Sequence, residues 1–189
     1  MTEYIPHQIE YVLQIVSEEF PEAHVKAFLI GGLAVNQYGY ARNTLDVDFM
    51  LKESDQAVIH PIMVAHGYIN RRVMDNVVFY HHEKGGFRAD FLSVDARTHE
   101  LLSRRAKRVK AYGFELWMPH IEDLIAMKIF ALSSGKAKRI GKDLPDIAHL
   151  CLIHDLDLEG VIKPLCEKYH ALHVYNDIVE LMEAIRHGT

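Results

Sequence analysis

The chain of 189 residues is 49% hydrophobic and 25% charged, with a formal net charge of −5, the balance of a globular chain with one full core or a core and an appendage. No apolar run approaches the roughly 18 residues a bilayer span needs, which excludes a membrane protein on that pattern. Met1–Gln14 lacks a basic segment followed by a long apolar one, and the two cysteines, Cys151 and Cys166, form no CxxC framework; the expectation is no secretory signal, reduced buried thiols and a cytoplasmic setting.

Ile5, Ile9, Val12, Ile15 and Val16 recur at helical spacing, predicting an amphipathic helix from Tyr4 to Phe20 that Pro21 ends. His24–Ile30 reads as a strand, Gly31-Gly32 punctuates it, and LAVNQYG opens a short helix. In TLDVDFML, Leu45, Val47, Phe49 and Leu51 alternate with Asp46 and Asp48, the period of a half-buried strand. A helix over Glu53–His66, capped by Ser54 or Glu53, closes at Gly67. Strands follow over Tyr68–Val73 and Asn76–His82, joined by a turn at Met74-Asp75. Glu83-Lys84-Gly85-Gly86 is a second turn, resembling a phosphate loop only in composition, and FRADFLSV is another alternating strand. A short helix over Thr98–Ala106 leads to a two-stranded stretch through Val109 and Phe114 to Trp117, where Tyr112, Phe114 and Trp117 pack as core. Helices then occupy His120–Leu132, Leu144–Leu152, Leu158–Tyr169 and Val174–Arg186. The fold class is therefore α+β: a small, mixed, antiparallel-rich sheet with flanking helices, here expected on one face, followed by a C-terminal helical bundle. The boundary falls at Met118–Pro119, giving an α/β domain over 1–118 and a helical region over 119–189.

Asp46 and Asp48, two apart on a strand, point the same way with Cα atoms about 6.5–7 Å apart. Like charges so placed repel and are held cheaply only in water or around a cation. Oxygen donors without nearby sulfur favour Mg²⁺ or Mn²⁺ over zinc. Gly31-Gly32, between a strand and a helix, leaves backbone N–H groups open to an anion. Asp90, on the alternating strand FRADFLSV, is placed to complete a carboxylate triad.

The segment LIGGLAVNQYGYARNTLDVDFM resembles the nucleotidyltransferase superfamily typified by DNA polymerase β: a glycine pair, a spacer, then D-h-D-h with h apolar. Thirteen residues separate Gly32 from Asp46, and Val47 and Phe49 fill the h positions. PHIEDLIAMKIFAL and GKDLPDIAHL resemble helices of small bacterial stand-alone and abortive-infection toxin-like members. The resemblance covers about residues 24–152. Leu33 stands where many members carry serine after the glycine, so a hydroxyl is missing there. The resemblance implies two Mg²⁺ ions (or Mn²⁺) on Asp46, Asp48 and Asp90, with Asp90 also drawing off the acceptor's proton. It implies an NTP held by Gly31, Gly32, Arg42, Thr44, Lys128 and Lys142.

The implied reaction moves an NMP from an NTP to an acceptor hydroxyl and releases pyrophosphate. RNA, protein and small molecules all stay open as acceptors, and an antitoxin protein as partner. An aminoglycoside or lincosamide nucleotidyltransferase and a non-catalytic partner of toxin–antitoxin type are the alternatives. Residues 97–142 are net basic between acidic flanks, and Arg104–Lys110, extended by Arg71-Arg72, could guide a polyanion or be a solvated face. His81-His82 on a strand point to opposite faces and cannot share an ion; His149, Cys151 and His154 lack the spacing for a zinc site.

Overall fold

The computed structural model of the protein describes residues 7–44, 46–86, 88–133 and 137–188. Tyr4, Ile5, Leu45 and Phe87, all placed in elements by the sequence pattern, lie outside the described residues. The chain divides into two compact units, Met1–Ala34 with Arg42–His120, and Val35–Ala41 with Ile121–Thr189. The short segment 35–41 thus belongs with the helices, not with the sheet that flanks it in sequence.

In the first unit, Ile9, Val12, Leu13, Val16 and Phe20 form the buried stripe of helix α1, His7–Glu22. Pro21 lies inside its last turn instead of ending it. The chain leaves the helix three residues later at His24, whose φ is +58°. The strands are β1 Phe28–Ile30, β2 Asp46–Lys52, β3 Asn70–Met74, β4 Val77–His81, β5 Arg88–Val94, β6 Lys107–Ala111 and β7 Phe114–Met118. Between them run helices α2 Gly31–Gln37, α3 Gln56–Ala65 and α4 Ala96–Arg105.

Among the described residues one sheet forms, in the order β3-β4-β5-β2-β1-β7-β6. The pairs β1–β7 and β2–β5 are parallel and the other four antiparallel, so the sheet is mixed and antiparallel-rich as the hairpin signals predict. The β3–β4 turn falls at Asp75-Asn76, one residue later than the pattern suggests. Its first residue takes φ +52°, which an aspartate tolerates better than most side chains. Gly85 and Gly86, at φ +77° and +110°, turn the chain between β4 and β5.

Period two sorts the central strands into two faces. On one, Val47, Phe49, Leu51, Ala89, Phe91 and Tyr80 are buried, with Phe91 5.7 Å from Phe49, 5.7 Å from Tyr80 and 5.8 Å from Phe20 of α1. The opposite face carries Asp46, Asp48, Arg88 and Asp90 at its start and Met50, 3% exposed, further along. Helices therefore cover both faces, not one: His99 of α4 packs 4.9 Å from Phe28, the register partner of Met50. Asp95 caps α4 by accepting the Thr98 N–H at 2.9 Å, which starts that helix ahead of the Thr98 expected.

In the second unit the helices are α5 Ile121–Ser133, α6 Ala137–Ile153, α7 Lys163–Lys168 and α8 Leu172–His187. Ile125, Ile129, Ile147, Leu150, Ile162, Ile178 and Met182 are buried there. Helix α6 runs through Pro145 and begins a turn and more before the predicted Leu144, with Arg139 and Asp143 paired across one turn at 3.4 Å. The stretch expected as one helix over Leu158–Tyr169 is a π-turn, Leu158–Ile162, leading into α7. Pro164 sits in the first turn of α7, where its missing N–H is harmless. Tyr40 stacks on His149 at 3.9 Å, and His154 Nε2–H donates to the Tyr38 carbonyl at 2.7 Å, which fastens 35–41 to α6. Cys151 and Cys166 are free and buried, as expected. No helix among the described residues is long and apolar enough to cross a membrane.

Candidate active site

Parallel pairing of β2 with β5 sets Asp48 opposite Asp90 and Asp46 opposite Arg88. In a parallel ladder, register partners share a face, so three carboxylates and one guanidinium lie together. The antiparallel neighbour β1 brings Ile30 beside Asp48, and the chain bends at the next residue, Gly31. Its φ is +64°, and a Cβ there would fall 2.0 Å from Asp48 Oδ2. Only glycine permits both the backbone conformation and the approach of the carboxylate.

Gly32 is confined differently. A Cβ at this position would lie 2.7 Å from Thr44 Oγ1 and 3.1 Å from an Arg42 Nη1. Thr44 Oγ1 also donates to the Asp46 carbonyl at 3.3 Å. The structure therefore brings Gly31, Gly32, Arg42, Thr44, Asp46, Asp48 and Asp90 into one neighbourhood. Lys128 and Lys142 belong to the helical unit. Lys128 is 6% exposed, and its Nζ donates to Asp143 at 2.8 Å and Asp146 at 2.7 Å, so its charge is committed within that unit. Lys142 is exposed on α6.

Arg88 was not singled out by the sequence reading. Its Nε donates to Asp90 Oδ1 and its Nη2 to Asp90 Oδ2, each at 2.6 Å, a bidentate pair. Nη2 also stands 3.6 Å from Asp46 Oδ2, and the guanidinium lies 4.6 Å from the Phe79 ring. The signal was present in FRADFLSV, where Arg88 and Asp90 are two apart and so on one face. Burial pushes the Asp90 carboxyl above its ordinary range, and the Asp46 charge adds to this; Arg88 pulls the other way without cancelling it. Burial draws the Arg88 guanidinium down, but its hydrogen bond to Asp90 and the charges of Asp90, Asp46 and Asp48 together push it up.

Among the described residues no three His, Cys, Asp or Glu side chains stand ready around a common ion position. At Asp90 that place is held by the Arg88 guanidinium. The donor chemistry nonetheless fits a hard divalent cation: every donor is a carboxylate oxygen, and the bare Gly31 lets Asp48 sit against the backbone.

Among solved structures, the antibiotic-resistance factor ANT(2'')-Ia, determined in solution, superposes with TM-score 0.64 at 13% identity, covering 96% of this chain and 98% of its own. A lincomycin-bound lincosamide antibiotic adenylyltransferase gives TM-score 0.55 at 15% identity, covering 80% and 99%. An antigenic nucleotidyltransferase-like protein from Paracoccidioides brasiliensis gives 0.54 at 14%, covering 88% and 91%. These likenesses establish the nucleotidyltransferase fold. No curated protein matches the chain. The family model described as nucleotidyl transferase AbiEii toxin, type IV toxin–antitoxin system, matches residues 14–187. With nearly the whole chain spanned by that match, this protein belongs to the AbiEii nucleotidyltransferase toxin family.

Proposed function

We propose that the protein transfers a nucleoside monophosphate from an NTP to an acceptor hydroxyl, with release of pyrophosphate, in a reaction that depends on Mg²⁺ or Mn²⁺. The observation that carries this reading is the in-register placement of Asp48 and Asp90 beside the bend at Gly31. Asp46, Asp48 and Asp90 would hold the cation, which when bound supplies positive charge to the phosphates and to the attacking and leaving oxygens. Asp90, whose carboxyl burial makes more basic, accepts the proton of the acceptor hydroxyl. Gly31 and Gly32 let the backbone approach the phosphates without side-chain obstruction, and Arg42 and Thr44 flank that approach. The family's type IV toxin–antitoxin description supports an antitoxin protein as partner.

The test is incubation of the whole chain with each α-³²P-labelled NTP and Mg²⁺, together with total RNA, a protein extract, or aminoglycosides and lincosamides. Label should move to one acceptor class, and Asp46→Asn or Asp48→Asn should abolish the transfer while the fold persists. Wild-type turnover in either variant would overturn the reading.

A further inference from the structure

Three carboxylates gathered on one sheet face repel one another, and a neighbouring guanidinium offsets part of that repulsion. Arg88 approaches two of the three, binding Asp90 with both arms of its fork and reaching toward Asp46. It neutralises the more buried one: the Asp90 side chain is 8% exposed against 40% for Asp46. A cation bound by the same oxygens competes with the guanidinium for the Asp90 charge, because two positive groups held against one carboxylate repel each other.

We propose that Arg88 is the resident counter-ion of the carboxylate cluster, which yields Asp90 to the incoming divalent cation and turns its fork to the nucleotide's phosphates. This rests on the nucleotidyl-transfer reading above and adds to it a coupling between the two ligands. The exchange is chemically matched, since a guanidinium pairs with phosphate through the same two-pronged geometry it uses on carboxylate. It is also sterically feasible. Arg88 is 36% exposed, and its stacking on Phe79 tethers the side chain at the site after the carboxylate is released. Asp48, Asp46 and His81 are the other charged or titratable groups acting on the pair, and Arg88 stands farther from Asp46, at 3.6 Å, than from Asp90, at 2.6 Å. The consequence is that cation alone binds weakly, nucleotide alone finds Arg88 occupied, and the two together bind cooperatively.

The experiment measures Mn²⁺ binding by electron paramagnetic resonance on the whole chain, with and without α,β-methylene analogues of the NTPs, which cannot be cleaved. In the wild type an analogue should tighten Mn²⁺ by about tenfold or more, the scale of a charge-assisted hydrogen-bond pair. Arg88→Gln should bind Mn²⁺ about tenfold tighter than wild type without nucleotide and gain little from the analogue. Arg88→Lys, which keeps the charge but cannot fork, should fall between, and it decides the matter should Arg88→Gln fail to fold. If neither substitution tightens Mn²⁺ while Asp48→Asn abolishes it, the counter-ion role is wrong and the site reading stands. If Mn²⁺ binding in the wild type is absent or indifferent to Asp48→Asn, the site reading itself falls, and the role of Arg88 with it.

Discussion

Thr44 fills the space that glycine leaves open at position 32: a Cβ built there would meet Thr44 Oγ1 at 2.7 Å and Thr44 Cβ at 2.8 Å. Both distances are closer than carbon and oxygen atoms pack, so the two positions share one volume. Gly32→Ala should therefore destabilise the chain by about 1–3 kcal/mol, the cost of overpacking a filled site. Thr44→Gly in the same chain should return most of that loss. Urea unfolding of the two single variants and the double variant measures the coupling; additive effects would show that the residues do not compete for space.

Gly31→Ala should be more damaging to function than to folding. The φ of +64° costs a side-chain-bearing residue about 1–2 kcal/mol, which a domain of this size can absorb. The new Cβ, however, falls 2.0 Å from the Asp48 carboxylate and must push it out of place. Nucleotidyl transfer should drop to background while thermal unfolding shifts by only a few degrees. An alanine variant with ordinary turnover would mean that the approach of Asp48 to the bend is dispensable.

Lys128→Met should destabilise the helical unit by about 3–5 kcal/mol, the usual result of removing one partner from a buried ion pair. The reason is Asp146, which is 0% exposed and would lose its ammonium at 2.7 Å. Asp143 keeps Arg139 at 3.4 Å on its other side. Combining Lys128→Met with Asp146→Leu should recover much of the stability, since an apolar pair of similar volume has no desolvated charge to compensate. Circular dichroism during thermal unfolding distinguishes the outcomes.

Burial pushes the Cys151 thiol up to about 12 and the Cys166 thiol up to about 11, each aided by a neighbouring negative group. At pH 8 neither should react with a thiol reagent until the chain unfolds, when both should react at once. The folded chain holds these protons more tightly than the unfolded one. Their contribution to stability is thus complete below the unfolded thiol's pKa, about 9, and is lost as pH rises through 11 and 12. Denaturant midpoints measured from pH 8 to 11.5 should fall across the upper part of that range, and Cys151→Ala should flatten the fall.

The acidic strand was legible in sequence because β2 alternates: Val47, Phe49 and Leu51 bury one face, and Asp46 and Asp48 are left on the other. Asp90 could be placed near them by the same alternation in β5, though only the parallel register fixes it opposite Asp48. Arg88 was passed over because a lone arginine at a strand start looks like a solvated end, and its role depends on a neighbour strand some forty residues away in sequence. Proline misled at Pro21, which lies inside the last turn of α1 instead of ending it. The attachment of Val35–Ala41 to the helical unit had no local signal. It rests on Tyr38 and Tyr40 meeting His154 and His149, residues more than a hundred positions further along the chain. Lys128 looked like a nucleotide-binding cation because its partners, Asp143 and Asp146, sit on another helix.

The basic run Arg104–Lys110 ends on β6, the outermost strand at one margin of the sheet, where Lys107, Arg108 and Lys110 are exposed. A bare margin of backbone N–H and C=O groups invites a second chain to add a strand, and rows of like charge make that addition unfavourable. At the other margin, β3 presents Arg71 and Arg72 among exposed Val73 and Met74. Both borders of the sheet are thus guarded by cations, which discourages fibrous self-association of a protein whose interior strands are rich in phenylalanine and valine.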